Sequence, residues 1–162
     1  MTTLKQAAFD LLRKKTEAEL RKLTTSQTAA RDGAIHEETR QEDPKDTRAI
    51  EAQYLARGLA ERVESMRDDI ALLGALKLKE FGPDDAIEVT ALVGLDGRHG
   101  AEAIYLLVPC AGGETLEVDG RTIRTLTPLS PLGQALVGCY VDDEVTLELP
   151  DRRMDATIRW IS

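Results

Sequence analysis

The most constraining feature of this chain is a stripe of apolar residues, Leu55, Leu59, Val63, Met66, Ile70 and Leu73, spaced by fours and threes. That spacing lays them along one narrow seam of an α-helix, the pattern of a coiled coil, and such a seam needs a second helix to cover it. A weaker stripe, Ala8, Leu12, Thr16, Leu20 and Leu23, precedes it and fades into Ser, Thr, Gln and Ala. Met1 to about Lys79 is rich in Ala, Leu, Glu, Lys and Arg, with Pro44 its only proline, so both stripes belong to long helices. Between them Gly33–Asp46 is polar and lacks the periodicity. Two helices with single seams and one short connection fold back as an antiparallel hairpin, with its tip loop near 34–46. Asp43 is suited to cap the second helix, Pro44 to open it, and Asp46 to its first turn, where the helix dipole favours a negative charge. A helix of about 33 residues is roughly 50 Å long. Gly58, in mid-helix, costs about 1 kcal/mol relative to alanine, which predicts local softness or close helix packing there.

After Leu78 the pattern changes. Phe81-Gly82-Pro83 breaks the helix and divides the chain into domains at 1–79 and 80–162. Strands are predicted over Ala86–Val93, Ala103–Val108, Glu114–Val118, Thr122–Thr127, Glu144–Leu149 and Ala156–Ile161, with a turn-rich Gly94–Gly100 and a tight turn at Asp119-Gly120. One short helix interrupts them, with Ser130 as N-cap, Pro131 first and Gly138 as its stop. The fold class is therefore α+β: a helical hairpin followed by a small antiparallel sheet with one helix.

Charge narrows the partners. Residues 1–79 carry 15 Lys/Arg against 14 Asp/Glu, whereas residues 80–162 carry 6 against 15. A surface that acidic repels phosphate, so the C-terminal half favours a protein partner over nucleic acid. No apolar run spans a membrane, and Met1–Asp10 has no hydrophobic signal core, which predicts a cytoplasmic protein. Cys110 and Cys139 make no metal-binding pair and read as small buried hydrophobes in a reducing compartment. Gly94, Gly97 and Gly100 do not match the dinucleotide fingerprint, and a hairpin turn accounts for them. His36-Glu37-Glu38 is followed at the fourth position by Arg40, a cation that cannot complete a zinc pair. With no Walker lysine and no Gly-x-Ser-x-Gly, a self-contained active site is not expected, nor is a cofactor of the chain's own. Of six aromatic residues, four follow Leu78 (Phe81, Tyr105, Tyr140 and Trp160), and these read as core or edge packing.

The remaining chemistry lies in residues 36–46, where Glu37, Glu38, Glu42, Asp43 and Asp46 are opposed by Arg40 and Lys45, with Glu51 just beyond. One reading is a solvated turn whose acids cap a helix. The other is a set of hard oxygen donors carried at a hairpin tip to complete a magnesium site elsewhere. Spacing leaves both open. Arg13, Lys14, Lys15, Arg21 and Lys22 on the first helix read either as a solvated face or as a contact for RNA phosphates.

The stretch from Thr127 to Val145, TPLSPLGQALVGCYVDDEV, resembles the C-terminal signature of the GreA/GreB transcription elongation factors. Ser130–Gly138 matches its helix motif and Asp142–Val145 its entry to the next strand. The order of helical hairpin and α+β domain resembles that family over nearly the whole chain. The resemblance implies an FKBP-like C-terminal domain that docks on RNA polymerase through Ser130, Pro131, Leu132 and Gly133. It implies a monomer whose coiled coil enters the secondary channel toward the RNA 3′ end and stimulates cleavage of backtracked transcripts. Magnesium is then supplied in the polymerase active centre and shared with Asp43 and Asp46, with Glu42 and Glu51 as further assisting acids. The tip departs from the family's D-x-x-E-N form. Aligned on Tyr54, this chain has Thr47 and Ile50 at the acidic positions, with Asp46 and Glu51 each one residue away; Asp43 and Asp46 have the family's separation. Two alternatives keep the architecture: a channel-occupying regulator without cleavage, and a coiled-coil interaction module.

Overall fold

The computed structural model describes residues 3–40, 47–97, 102–149 and 152–162. Helix α1 spans Leu4–Arg40 and helix α2 Thr47–Ala75. They are followed by β1 Leu92–Gly97, β2 Glu102–Leu107, β3 Thr115–Val118, β4 Arg121–Leu126, α3 Pro131–Leu136, β5 Glu144–Leu149 and β6 Arg152–Ile161. The chain divides into two compact units, one comprising Met1–Arg13 with Leu72–Ser162, the other Lys14–Ala71.

The unit Lys14–Ala71 is the paired part of the hairpin. On α1 the residues Thr16, Leu20, Leu23, Gln27, Ala30 and Ala34 are at least half-buried and recur every three or four positions. On α2 the matching line is Ala49, Ala52, Ala56, Leu59, Val63, Met66 and Ile70. The seam thus continues past Leu23 on alanines, which let two helices approach where larger side chains give out. Leu55, assigned to the seam by its spacing, is instead 60% exposed, and Ala56 takes its place. The connection also begins later than expected. Gly33–Arg40 is helical, so Glu37 and Glu38 lie on α1, and the Gln53 side-chain amide donates to the Glu38 carboxylate across the helix pair. Gly58 has no atom within 4 Å of where a Cβ would stand, so close helix packing is not its role.

In the other unit one six-stranded sheet has the order β3-β4-β2-β1-β6-β5. All neighbours are antiparallel except β2 and β4, which run parallel with Ile104 opposite Ile123. The central strands are buried on both faces, as their alternation requires. One face packs Leu92, Ile104, Leu106, Leu116 and Ile123 with Ala8, Phe9 and Leu12 of α1 and Leu73 of α2. The other packs Val93, Leu95, Tyr105, Leu107 and Ile158 with Ile87 and with Leu136 of α3. The first turns of α1 are therefore core of the sheet. Replacing the fully buried Leu12 by alanine is expected to cost about 2–5 kcal/mol, read from urea unfolding as a lower midpoint at unchanged slope.

Helix α2 stops at Ala75, short of Lys79, because side chains take over the backbone partners. The Lys79 amide donates to Thr90 Oγ1 at 3.1 Å, and Lys5 Nζ donates to the Lys79 carbonyl. Lys5 is only 2% exposed, and its ammonium lies 5.0 Å from the centre of the Phe81 ring. Burial draws its pKa below the usual lysine value, against the opposing influence of Glu80. Thr90 has φ of 80°, an outlier for a β-branched residue, and its own amide donates to Leu107 O at 2.8 Å. That turn is why the segment before Leu92 is not a strand, as Ala86–Val93 was expected to be. The first strand runs on through Gly94 and Gly97 instead, where a turn was expected. Gly94 must be bare: a Cβ there would lie 2.3 Å from the Trp160 ring, whose Nε1 donates to Glu102 Oε1 at 2.6 Å. The Asp119-Gly120 turn is as expected, with φ of 51° and 74°.

Candidate functional site

Residues Glu42, Asp43 and Asp46 lie outside the described residues, as does the Asp43-Pro44 start proposed for the second helix. Glu51 is described: it is exposed, on the second turn of α2. Glu37 is half-buried on the seam side of α1, and Glu38 is engaged by Gln53, so neither is a free tip acid. Among the described residues no three His, Cys, Asp or Glu side chains stand close enough to hold a metal ion. Of the first helix's cations, Lys14, Lys15, Arg21 and Lys22 are exposed and Arg13 is half-buried.

The stretch from Thr127 to Val145 folds as one hydrogen-bonded cassette. Ser130 is the N-cap of α3: its Oγ accepts from the Gly133 amide at 3.1 Å and donates to the Thr127 carbonyl at 2.7 Å. Pro131 fills the first helical position, where no amide partner is required. Gly133 is buried against the same carbonyl, and Gly138 ends the helix at φ of 85°. The Gly138 amide donates to Ile87 O at 2.9 Å, and Ile87 donates to Cys139 O at 2.8 Å, fixing α3 to the chain before β1. Asp142 then turns the chain at φ of 70°, and Asp143 accepts from the Tyr140 amide through Oδ2 at 2.7 Å. The two acids of the motif thus do different work. Asp142→Gly is expected to be neutral or stabilising by up to about 1 kcal/mol, since glycine adopts that φ freely. Asp143→Gly removes an acceptor and is expected to cost about 1 kcal/mol. Paired thermal melts of the two variants check the contrast.

Of the four residues assigned to docking, Ser130 and Gly133 are engaged inside the cassette, Leu132 packs on the core, and Pro131 is exposed. The same motif leaves exposed apolar side chains that spacing did not single out: Leu129 at 84% exposure, Val137 and Tyr140. The signal available for them was that they are large apolar residues in a motif whose core positions are already filled. Of the aromatics expected at the core or its edge, Tyr105 is buried, Phe81 and Trp160 are half-buried, and Tyr140 is exposed. Cys110 and Cys139 are half-buried and unpaired with each other. Burial, and secondarily the charge of Asp143, push the Cys139 thiol above its usual pKa, and Sγ lies 3.2 Å from the Ala135 carbonyl, so it stays a neutral thiol near neutral pH. No helix among the described residues is long and apolar enough to cross a membrane.

No family model matches the chain, and no curated protein matches it. Among solved structures it is similar to the transcription factor Gfh1, at 20% identity over 93% of each chain with a TM-score of 0.42. It is similar to Gfh1 of Thermus aquaticus at 19% identity over 91% of this chain and 92% of that one, with a TM-score of 0.41. It is similar to the prokaryotic transcription elongation factor GreA/GreB of Nitrosomonas europaea at 21% identity over 64% of this chain and 91% of that one, with a TM-score of 0.39.

Proposed function

We propose that this chain is an accessory factor of RNA polymerase that stimulates cleavage of backtracked transcripts. In this reading the α+β unit docks on the polymerase, and the hairpin enters its secondary channel, acting as a cytoplasmic monomer. The observation that carries the reading is the cassette from Thr127 to Val145. Its inward residues are consumed by folding, while Leu129, Pro131, Val137 and Tyr140 are each left exposed as apolar contacts for a protein partner. Two helices of 37 and 29 residues, about 55 and 43 Å long, support the second part, with the acids 42–46 in their connection and Glu51 beside it.

The chemistry is phosphodiester hydrolysis. Magnesium in the polymerase active centre supplies Lewis-acid activation of water when bound there. The chain's part would be to present Asp43 and Asp46, assisted by Glu42 and Glu51, as oxygen donors to that ion and proton acceptors for the water. The chain alone is then expected to cut nothing.

The test is a purified, stalled and backtracked elongation complex carrying 3′-labelled RNA. Release of short 3′ fragments at least about tenfold faster with the protein is the expected result, and absence of binding to polymerase overturns the reading. A second reading is favoured by one observation, the displaced acids at 46 and 51 beside Thr47 and Ile50. In it the chain occupies the channel without supporting hydrolysis. Slower elongation and displacement of a cleavage-competent factor, with no fragments released, select that reading.

A further inference from the structure

We propose that the outer face of α2 at Tyr54–Gly58 is a stacking site for one nucleobase of the extruded RNA 3′ end. This inference rests on the channel-entry reading above. Tyr54 is 80% exposed, away from the seam that pairs the helices. Four residues on, Gly58 leaves the helix surface bare, with no atom within 4 Å of a Cβ position. Glycine in a helix interior is unfavourable, and no packing contact explains this one. Together Tyr54, Arg57, Gly58 and Glu61 line a recess of about 310 Å³. Its lining thus includes an aromatic residue and, at Gly58, a position without a side chain. At the rim Arg57 Nε meets Glu61 Oε1 at 3.1 Å, with both side chains mostly exposed.

That lining selects its ligand by chemistry. The ion pair is neutral overall, so it does not attract a phosphate or a metal cation strongly. It offers guanidinium donors and a carboxylate acceptor beside a stacking face, which suits a flat, uncharged heteroaromatic group with polar edges. A nucleobase has that character, and base–aromatic stacking tolerates any sequence. Glu51 lies three residues before Tyr54 on the same helix face, so a candidate tip acid and the ring that lines the recess are about 4.5 Å apart along the axis.

The experiment uses the full chain in a backtracked elongation complex whose RNA carries 4-thiouridine at its 3′ terminus. After irradiation, the adduct is expected within Ala49–Arg57, and Tyr54→Ala is expected to lower its yield at least about fivefold, the smallest loss stacking predicts. Tyr54→Phe keeps the ring and is expected to keep the adduct. Gly58→Leu fills the recess while raising helix propensity, so loss of the adduct in that variant reports occupancy rather than unfolding. Co-migration with polymerase on a native gel is read in the same reactions. An adduct only on polymerase, or elsewhere on the chain, with co-migration intact, overturns the stacking site and leaves the channel reading standing. Loss of co-migration for the unaltered chain overturns both.

Discussion

Gly133→Ala is expected to lower the unfolding free energy by about 3 kcal/mol or more, the largest effect of adding a methyl group at any of the described glycines. The reason is geometric. A Cβ at this position would stand 2.0 Å from the Thr127 carbonyl oxygen and 2.9 Å from both Ser130 Oγ and the Thr127 carbonyl carbon. The nearest atom belongs to the backbone and cannot rotate away. Moving it breaks the bond from Ser130 Oγ to Thr127 O, and with it the cap that holds the first turn of α3. Leu136, fully buried on the face beneath, then loses its seat. Gly94→Ala is the informative comparison. There the close atoms belong to the Trp160 side chain, which can swing out at the loss of its bond to Glu102. A smaller loss, about 1–3 kcal/mol, is expected. Denaturant melts of both variants order the two costs, and equal destabilisation contradicts the argument.

The second large effect concerns activity. Replacing Asp43 and Asp46 by asparagine and Glu51 by glutamine together is expected to reduce stimulated transcript cleavage about 100-fold or more, the scale of removing a charge-stabilising group from a reacting centre. Polymerase affinity is expected to change by less than about twofold, because none of the three is in the α+β unit. Glu51 is exposed on α2, so its replacement is expected to leave stability within about 0.5 kcal/mol. The single variants then apportion the effect between Asp43 with Asp46, which have the three-residue separation, and Glu51, which faces the same side as Tyr54. Cleavage stimulation that survives the triple change means these carboxylates do not assist the reaction, whatever the cassette binds.

Much of the architecture was legible along the chain, and the exceptions share a cause. The seam of α2 from Leu59 to Ile70 could be read because helical periodicity is local and repeated, whereas Leu73 of the same stripe packs on the sheet. The same rule misplaced Leu55, since a seam can shift to a neighbouring alanine once the partner helix narrows. Gly33 marked a loop by composition, yet α1 continues to Arg40, because the partner helix stabilises turns that would not persist alone. Gly94 and Gly97 likewise suggested a turn, whereas the glycine at 94 makes room for an indole 66 residues further on.

Local pattern by itself determined the long paired helices, the α+β class, the capped helix after Ser130 and the tight turn at Asp119-Gly120. These depend on periods, caps and backbone preferences that act within a few residues. Tertiary structure alone decided that Ala8, Phe9 and Leu12 belong to the core of the sheet, that β2 and β4 run parallel, and that Tyr54 and Gly58 flank an open recess. Each is a matter of which distant surfaces meet or fail to meet, and burial between remote segments leaves no periodic trace in either of them.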